Sequence, residues 1–114
     1  MIITSKTLHF KLRPCKGEDY YFVYNLLKRN MCSQFVKHWG KWDPRIFRKN
    51  FNKKNIKIIT YKTKKVAFYD IEFKEGFSYI NNLQLSTQVQ KKGLGSVLID
   101  IIEMETKNHS FESF

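Results

Sequence analysis

Cysteine is scarce: Cys15 and Cys32 are the two thiols of the chain, too few and too isolated for a disulfide framework or a zinc site. They read as unrelated thiols in a reducing cytoplasm, which is the expected location. Proline is equally scarce, at two residues, and no linker divides the chain. No apolar run approaches the ~20 residues needed to span a bilayer. The N-terminus lacks the apolar core of a signal peptide. No internal repeat is present. The 114 residues are therefore read as one domain, 1–114, long enough to bury a core unaided but with little margin.

Acidic residues are also in short supply. Ten Asp and Glu face 21 Lys and Arg, a formal charge of +11. Such a balance meets the first criterion for nucleic-acid binding. The cations are spread, however, and only Arg45 to Lys57 is dense. Within it Ile46, Phe47 and Phe51 fall at helical spacing, so the segment reads first as a helix with a buried aromatic face and a wet basic one. No RNP-type aromatic motif, finger spacing or helix-turn-helix signature accompanies it. Attraction of a polyanionic cofactor or an acidic substrate accounts for part of the charge. An aromatic content of 16% argues for a folded globule.

The most informative stretch is Gln90-Lys91-Lys92-Gly93-Leu94-Gly95. Upstream, Phe77 to Leu85 alternates apolar and polar residues, the period of a half-buried strand. Downstream, Leu94, Val97, Leu98, Ile101 and Ile102 fall on one face of a helix. A glycine-containing turn that opens into a helix leaves backbone N–H groups unpaired at the positive end of the helix dipole, an anion site suited to pyrophosphate. Gly93 and Gly95 remove the Cβ atoms that would hold a ligand off the backbone, and Lys91 and Lys92 add charge. The turn is not a P-loop, because no Gly-Lys-Ser/Thr closes it. Nor is it a Rossmann fingerprint, for it lacks the third glycine and a following βα unit.

Those six residues resemble motif A of the GNAT family of N-acetyltransferases, Gln/Arg-x-x-Gly-x-Gly/Ala, in its usual setting between a strand ending Leu83-x-Leu85 and a helix. The resemblance implies that backbone groups of Leu83 and Leu85 pair with the pantetheine arm of acetyl-CoA, the co-substrate. It implies that the amides of Gln90, Lys91, Lys92, Gly93, Leu94, Gly95 and Ser96 wrap the pyrophosphate. Upstream, Leu8 to Arg13 matches the family's first strand. Gly17-Glu18-Asp19 opens a helix to about Asn30, and a second helical stretch runs from about Ser33 to Phe51, broken near Gly40 and Asp43-Pro44. Ile56 to Tyr61 and Lys65 to Phe73 read as a hairpin. The implied fold class is α+β and GNAT-like: a mainly antiparallel sheet of four strands in sequence order, helices on both faces, without the family's C-terminal strands.

The segment His38-Trp39-Gly40-Lys41-Trp42-Asp43 resembles one that lies over the thioester end in some members of the family. Trp39 and Trp42 are therefore candidates for the acceptor-pocket wall, with core anchoring as the equal alternative. Direct acyl transfer needs a polarised thioester carbonyl, a neutral amine and a proton for the leaving thiolate. Asp70 and Glu72 share one face of the third expected strand and are weak candidates for the base. Solvated positions or pairs with neighbouring lysines are the competing account. The bulge that polarises the carbonyl in the family leaves no trace here, since Phe77, Tyr79, Leu83 and Leu85 keep one parity.

The fourth expected strand would end as an open edge, which invites pairing with a second copy or cover by the tail Lys107 to Ser110. The leading reading is an N-acetyltransferase acting on a primary amine. A non-catalytic coenzyme-A-binding or protein-interaction remnant and a basic nucleic-acid-binding module are the alternatives. No metal site and no membrane partner are expected.

Overall fold

The computed structural model describes residues 2–5, 8–39, 43–75 and 77–112. Among them a five-stranded antiparallel sheet runs in the order β1 (Ile2–Ser5), β2 (Leu8–Pro14), β3 (Ile56–Tyr61), β4 (Lys64–Lys74) and β5 (Phe77–Leu85). Helices α1 (Tyr20–Trp39) and α2 (Pro44–Asn50) lie between β2 and β3, and α3 (Leu94–Glu112) follows β5. The four expected strands are present. The sheet has a fifth strand that the sequence reading omitted, β1, paired with β2 from Ile2 opposite Lys11 to Ser5 opposite Leu8.

Alternation along the strands divides the core into two layers. Phe10, Ile59, Ala67, Tyr69 and Ile71 face α3, which buries Leu94, Leu98, Ile101 and Ile102 against them. Ile56, Ile58 and Phe68 face the other way and pack on Val23 and Leu26 of α1. Each fully buried Leu or Ile contributes roughly 1.5–3 kcal/mol, so these two stripes hold helices on both faces. The Tyr69 hydroxyl donates to Glu105 of α3 at 2.7 Å, giving the buried ring a partner for its polar end.

Three helical boundaries differ from expectation. The first helix does not stop near Asn30 but continues to Trp39, because nothing between Asn30 and Trp39 breaks it. The second helix starts not near Ser33 but at Pro44, at the expected Asp43-Pro44 break, where the Asp43 carboxylate caps it by accepting from the Arg45 N–H at 2.9 Å. On α2, Phe47 packs against Tyr20 and Tyr24 with ring centroids 5.4 and 5.2 Å apart. The basic segment thus partly buries Phe47 and Phe51, the side its pattern implied, but Ile46 stays 53% exposed. At the other end α3 runs through Glu112, so Lys107 to Ser110 is helical rather than a tail.

Gly17–Asp19 forms a 3-10 turn before α1. Asp19 is the last residue of this turn, directly before α1. It is fully buried, and accepts from Arg13 at 2.7 and 2.9 Å, from Lys65 at 2.6 Å and from the Lys16 N–H at 2.8 Å. This clamp joins β2, α1 and β4.

Candidate functional site

The ladder between β4 and β5 loses register between Asp70 and Ile71: Asp70 pairs with Asn82, but Ile71 pairs with Ile80. Asn81 is thus an extra residue on β5, a β-bulge. The expectation that Phe77, Tyr79, Leu83 and Leu85 share a face fails here. Odd numbering continues through the strand while the bulge swaps the faces. Leu83 and Leu85 pack against the α3-facing core, whereas Phe77 and Tyr79 stand opposite Lys74 and Glu72 and are 53% and 62% exposed. The exposed apolar part of this edge is therefore Phe77, Tyr79 and Ile80 rather than a stripe including the leucines.

Beyond the bulge, β5 is the outermost strand of the sheet. The Ser86 N–H donates to Val66 at 2.8 Å. In an antiparallel ladder, alternate residues turn their N–H and C=O toward the partner strand. With Leu85 opposite Ala67 and Leu83 opposite Tyr69, that alternation aims the peptide groups of Leu83 and Leu85 at the open edge. The Leu85 carbonyl accepts from two side-chain amides, Asn30 at 3.1 Å and Gln90 at 2.9 Å. Asn30 also donates to Gln84 at 3.1 Å, so α1 is pinned to the end of β5.

The 86–93 loop turns back over the sheet. Val89 and Gln90 donate to the Ser86 carbonyl at 3.1 and 3.2 Å, and Val89 is buried. The Ser5 hydroxyl donates to the Lys92 carbonyl at 2.6 Å, so the strand missing from the sequence reading ties down the loop. Lys91 and Gly93 take positive φ, 67° and 77°. The Gly93 carbonyl accepts the first bond of α3, from Val97 at 3.3 Å. The N–H groups of Leu94, Gly95 and Ser96 precede that first bond and have no intrahelical acceptor. A Cβ built on Gly95 would meet no protein atom within 4 Å. The space before it belongs to a groove of about 600 Å³ between α1, β5 and the loop, bounded by Asn30, Met31, Leu83, Leu85, Gln90 and Gly95.

At the bulge, the Asn81 amide donates to Asp70 at 3.2 Å and to Glu72 at 3.1 Å. The two carboxylates share a face as expected but not an environment. Burial pushes the Asp70 carboxyl up, the Asn81 bond pulls it down, and the charge of Glu72 raises it again. Glu72 is only half-exposed and is held low by Lys74, 3.0 Å away, and by Asn81. Asp70 lines a small space of about 50 Å³ with Val23, Phe47, Phe51 and Asn82. Above it Leu27, Met31, Ile46, Phe47, Asn50 and Asn82 border a second pocket of about 240 Å³. Trp42 and the side chain of Trp39 lie outside the described residues. Among the described residues no group of His, Cys, Asp or Glu could hold a metal, and no helix is long and apolar enough to cross a membrane.

This architecture is the GNAT acetyltransferase fold. An acetyltransferase of the GNAT family from Listeria monocytogenes superposes with a TM-score of 0.71 at 13% identity, over 96% of this chain and 77% of that one. The ribosomal-protein-S18-alanine N-acetyltransferase of Escherichia coli gives 0.66 at 17%, over 88% of this chain and 61% of that one. The N-acetylglutamate synthase of Neisseria gonorrhoeae, solved with coenzyme A and N-acetyl-glutamate, gives 0.66 at 16%, over 87% of this chain and 23% of that one. The chain thus spans only part of each of these proteins. No protein-family model and no curated protein matches it by sequence.

Proposed function

We propose that the chain is an acetyl-CoA-dependent N-acetyltransferase that delivers the acetyl group to a primary amine by direct attack. The observation that carries this reading is the juxtaposition of an open strand edge with a helix N-terminus. The peptide groups of Leu83 and Leu85 face outward beside the 90–96 loop, whose last N–H groups have no intrahelical acceptor.

The residues present suit a pantetheine–pyrophosphate ligand. Leu83 and Leu85 would pair with the amide-bearing arm as a strand does. At the Leu85 carbonyl, the arm would join or displace the Asn30 and Gln90 amides. The amides from Gln90 to Ser96 would hold the pyrophosphate, with Lys91 and Lys92 neutralising its charge. The thioester end would then lie toward the bulge at Asn81, where the ladder with β4 is interrupted. Its carbonyl would be polarised by a backbone N–H freed there.

The acceptor amine would approach from the pocket bordered by Met31, Ile46, Phe47 and Asn82. Trp39 and Trp42 remain candidates for its wall. Asp70, rather than Glu72, would take the amine's proton, because its raised pKa brings it nearer to neutral pH. As the amine nitrogen bonds to the thioester carbon, the C–S bond breaks and the thiolate leaves.

The test is release of free coenzyme A thiol from acetyl-CoA with a panel of primary amines, alongside titration of coenzyme A. Amine-dependent thiol release supports the reading. Coenzyme A binding without turnover across the panel would leave the non-catalytic binding domain as the better account. Absence of coenzyme A binding would overturn both.

A further inference from the structure

The sheet face under α1 carries a further cavity, of about 300 Å³, between α1, the start of β4 and the Ser86–Gln88 turn. That volume is at the small end of ligand pockets, roughly 300–1,000 Å³. Its floor includes Phe22, Leu26 and Ser86, and its rim carries Arg29, Lys64 and Lys65. No carboxylate is among its lining residues. The Ser86 hydroxyl is buried and, among the described residues, has no hydrogen-bond partner, an arrangement native proteins rarely leave unanswered.

The cations are not all spent on the protein. Lys65 bonds to Asp19 at 2.6 Å, but Asp19 is also satisfied by Arg13 and by the Lys16 N–H. The Lys65 ammonium therefore keeps donors to spare. Lys64 bonds to a neutral acceptor, the Gln88 side chain, at 3.0 Å. The cavity is thus cationic, with hydroxyl and amide groups from Ser86, Thr87, Gln88 and Asn25 around it.

We propose that this cavity binds a phosphate monoester. Two or three cations converging with a hydroxyl are the means by which proteins hold a compact dianion. A carboxylate would match fewer of these donors. The cavity shares Arg29 and Thr87 with the groove beside Leu83 and Leu85. Its occupant has two chemically equivalent sources: the ribose 3′-phosphate of coenzyme A reaching over from that groove, or a separate phosphate. The site rests on its own lining, not on the acetyltransferase reading.

The experiment is isothermal titration of the wild type, Lys64→Gln and Ser86→Val with inorganic phosphate, adenosine 3′,5′-bisphosphate, coenzyme A and 3′-dephospho-coenzyme A. Thermal melts verify that each variant is folded. The wild type should bind the bisphosphate, and each substitution should weaken it by about tenfold. If coenzyme A binds the wild type more tightly than its dephospho form, and Lys64→Gln abolishes that difference, the cofactor supplies the phosphate. If phosphate and coenzyme A bind together and Lys64→Gln weakens phosphate alone, the ligand is separate. The phosphate and bisphosphate titrations stay informative even if coenzyme A does not bind. Unchanged affinity for every probe in both folded variants, or no binding of phosphate or bisphosphate to the wild type, would overturn the proposal.

Discussion

Asn81 donates its side-chain amide to the carboxylate of Asp70 at 3.2 Å, beside the point where β4 and β5 fall out of step. The extra residue that makes the bulge therefore also holds the one carboxylate that lies against the apolar space beneath α2. Backbone irregularity and the acid–base candidate come from the same position.

Asp70→Asn should lower kcat/KM for an amine acceptor by about a hundredfold, within the range lost with a general base. Glu72→Gln should cost much less, since Glu72 is half-solvated, already paired with Lys74 and held below the ordinary carboxylate value. The wild-type pH–rate profile should show an acidic limb above the ordinary carboxylate value, because burial raises Asp70, and Asp70→Asn should lose it. Full activity with an unchanged limb in Asp70→Asn would remove Asp70 from the chemistry. Stability runs the other way with pH: with the folded pKa raised, the contribution is fully present below the unfolded value and fades as pH rises through the folded one.

Asp19 behaves in the opposite sense. The Arg13 guanidinium, and after it Lys65 and the Lys16 N–H, hold its carboxyl well below the ordinary value despite burial. Its contribution is therefore present above the unfolded pKa and is lost as pH falls through the depressed folded one. Asp19→Ala, which leaves Arg13 and Lys65 without their shared anion, should destabilise by about 3 kcal/mol at pH 7. The wild type should lose stability below about pH 4, and the variant should show little of that loss. Urea unfolding at pH 7 and pH 3 measures both, and equal pH dependence in the two proteins would rule the clamp out.

The hairpin between β3 and β4 turns on Lys62 and Thr63, with φ of 49° and 68°. Two-residue hairpins favour this left-handed turn but usually fill it with Asn-Gly, since side chains crowd the backbone at positive φ. A β-branched threonine is especially ill suited. Lys62→Asn with Thr63→Gly should raise stability by about 1 kcal/mol. Chemical denaturation at pH 7 measures this, and an unchanged or lower midpoint would mean that the turn carries no recoverable strain.

Much of the fold was legible because its signals are local. Alternation marked β2 to β5, and the spacing of Leu94, Leu98, Ile101 and Ile102 marked α3 and its buried face. Strand β1 was not legible: Ile2-Ile3-Thr4-Ser5 is four residues long, too short to establish a period. The bulge was invisible for a different reason. An inserted residue flips the faces only relative to the partner strand, and the residue numbering along β5 carries no record of β4. The candidate loop was legible as chemistry, while its supports were not. Asn30 lies 55 residues from the Leu85 carbonyl it caps, and Ser5 lies 87 from the Lys92 carbonyl it holds. Only the fold brings such pairs together. The Arg45 to Lys57 cluster was legible as a packing helix, and Phe47 and Phe51 pack against the core under α1.

The two glycines of the loop should separate in their effects. Gly93 sits at φ 77°, so Gly93→Ala places a Cβ in a left-handed conformation and should destabilise the protein by about 1 kcal/mol. Gly95 lies in the first turn of α3 with nothing within 4 Å of its missing Cβ. The protein itself therefore does not require glycine there, and Gly95→Ala should stabilise the helix by about 0.5 kcal/mol. A coenzyme pyrophosphate on the Gln90–Ser96 amides would require it, because the backbone must be approached closely. Gly95→Ala should then weaken coenzyme A binding about tenfold while the melting temperature rises. Gly95→Glu, which adds a carboxylate facing the phosphates, should abolish binding. Calorimetric titration together with thermal unfolding of each variant reads both quantities. Equal coenzyme A affinity in wild type and folded Gly95→Glu would sink the assignment of the loop.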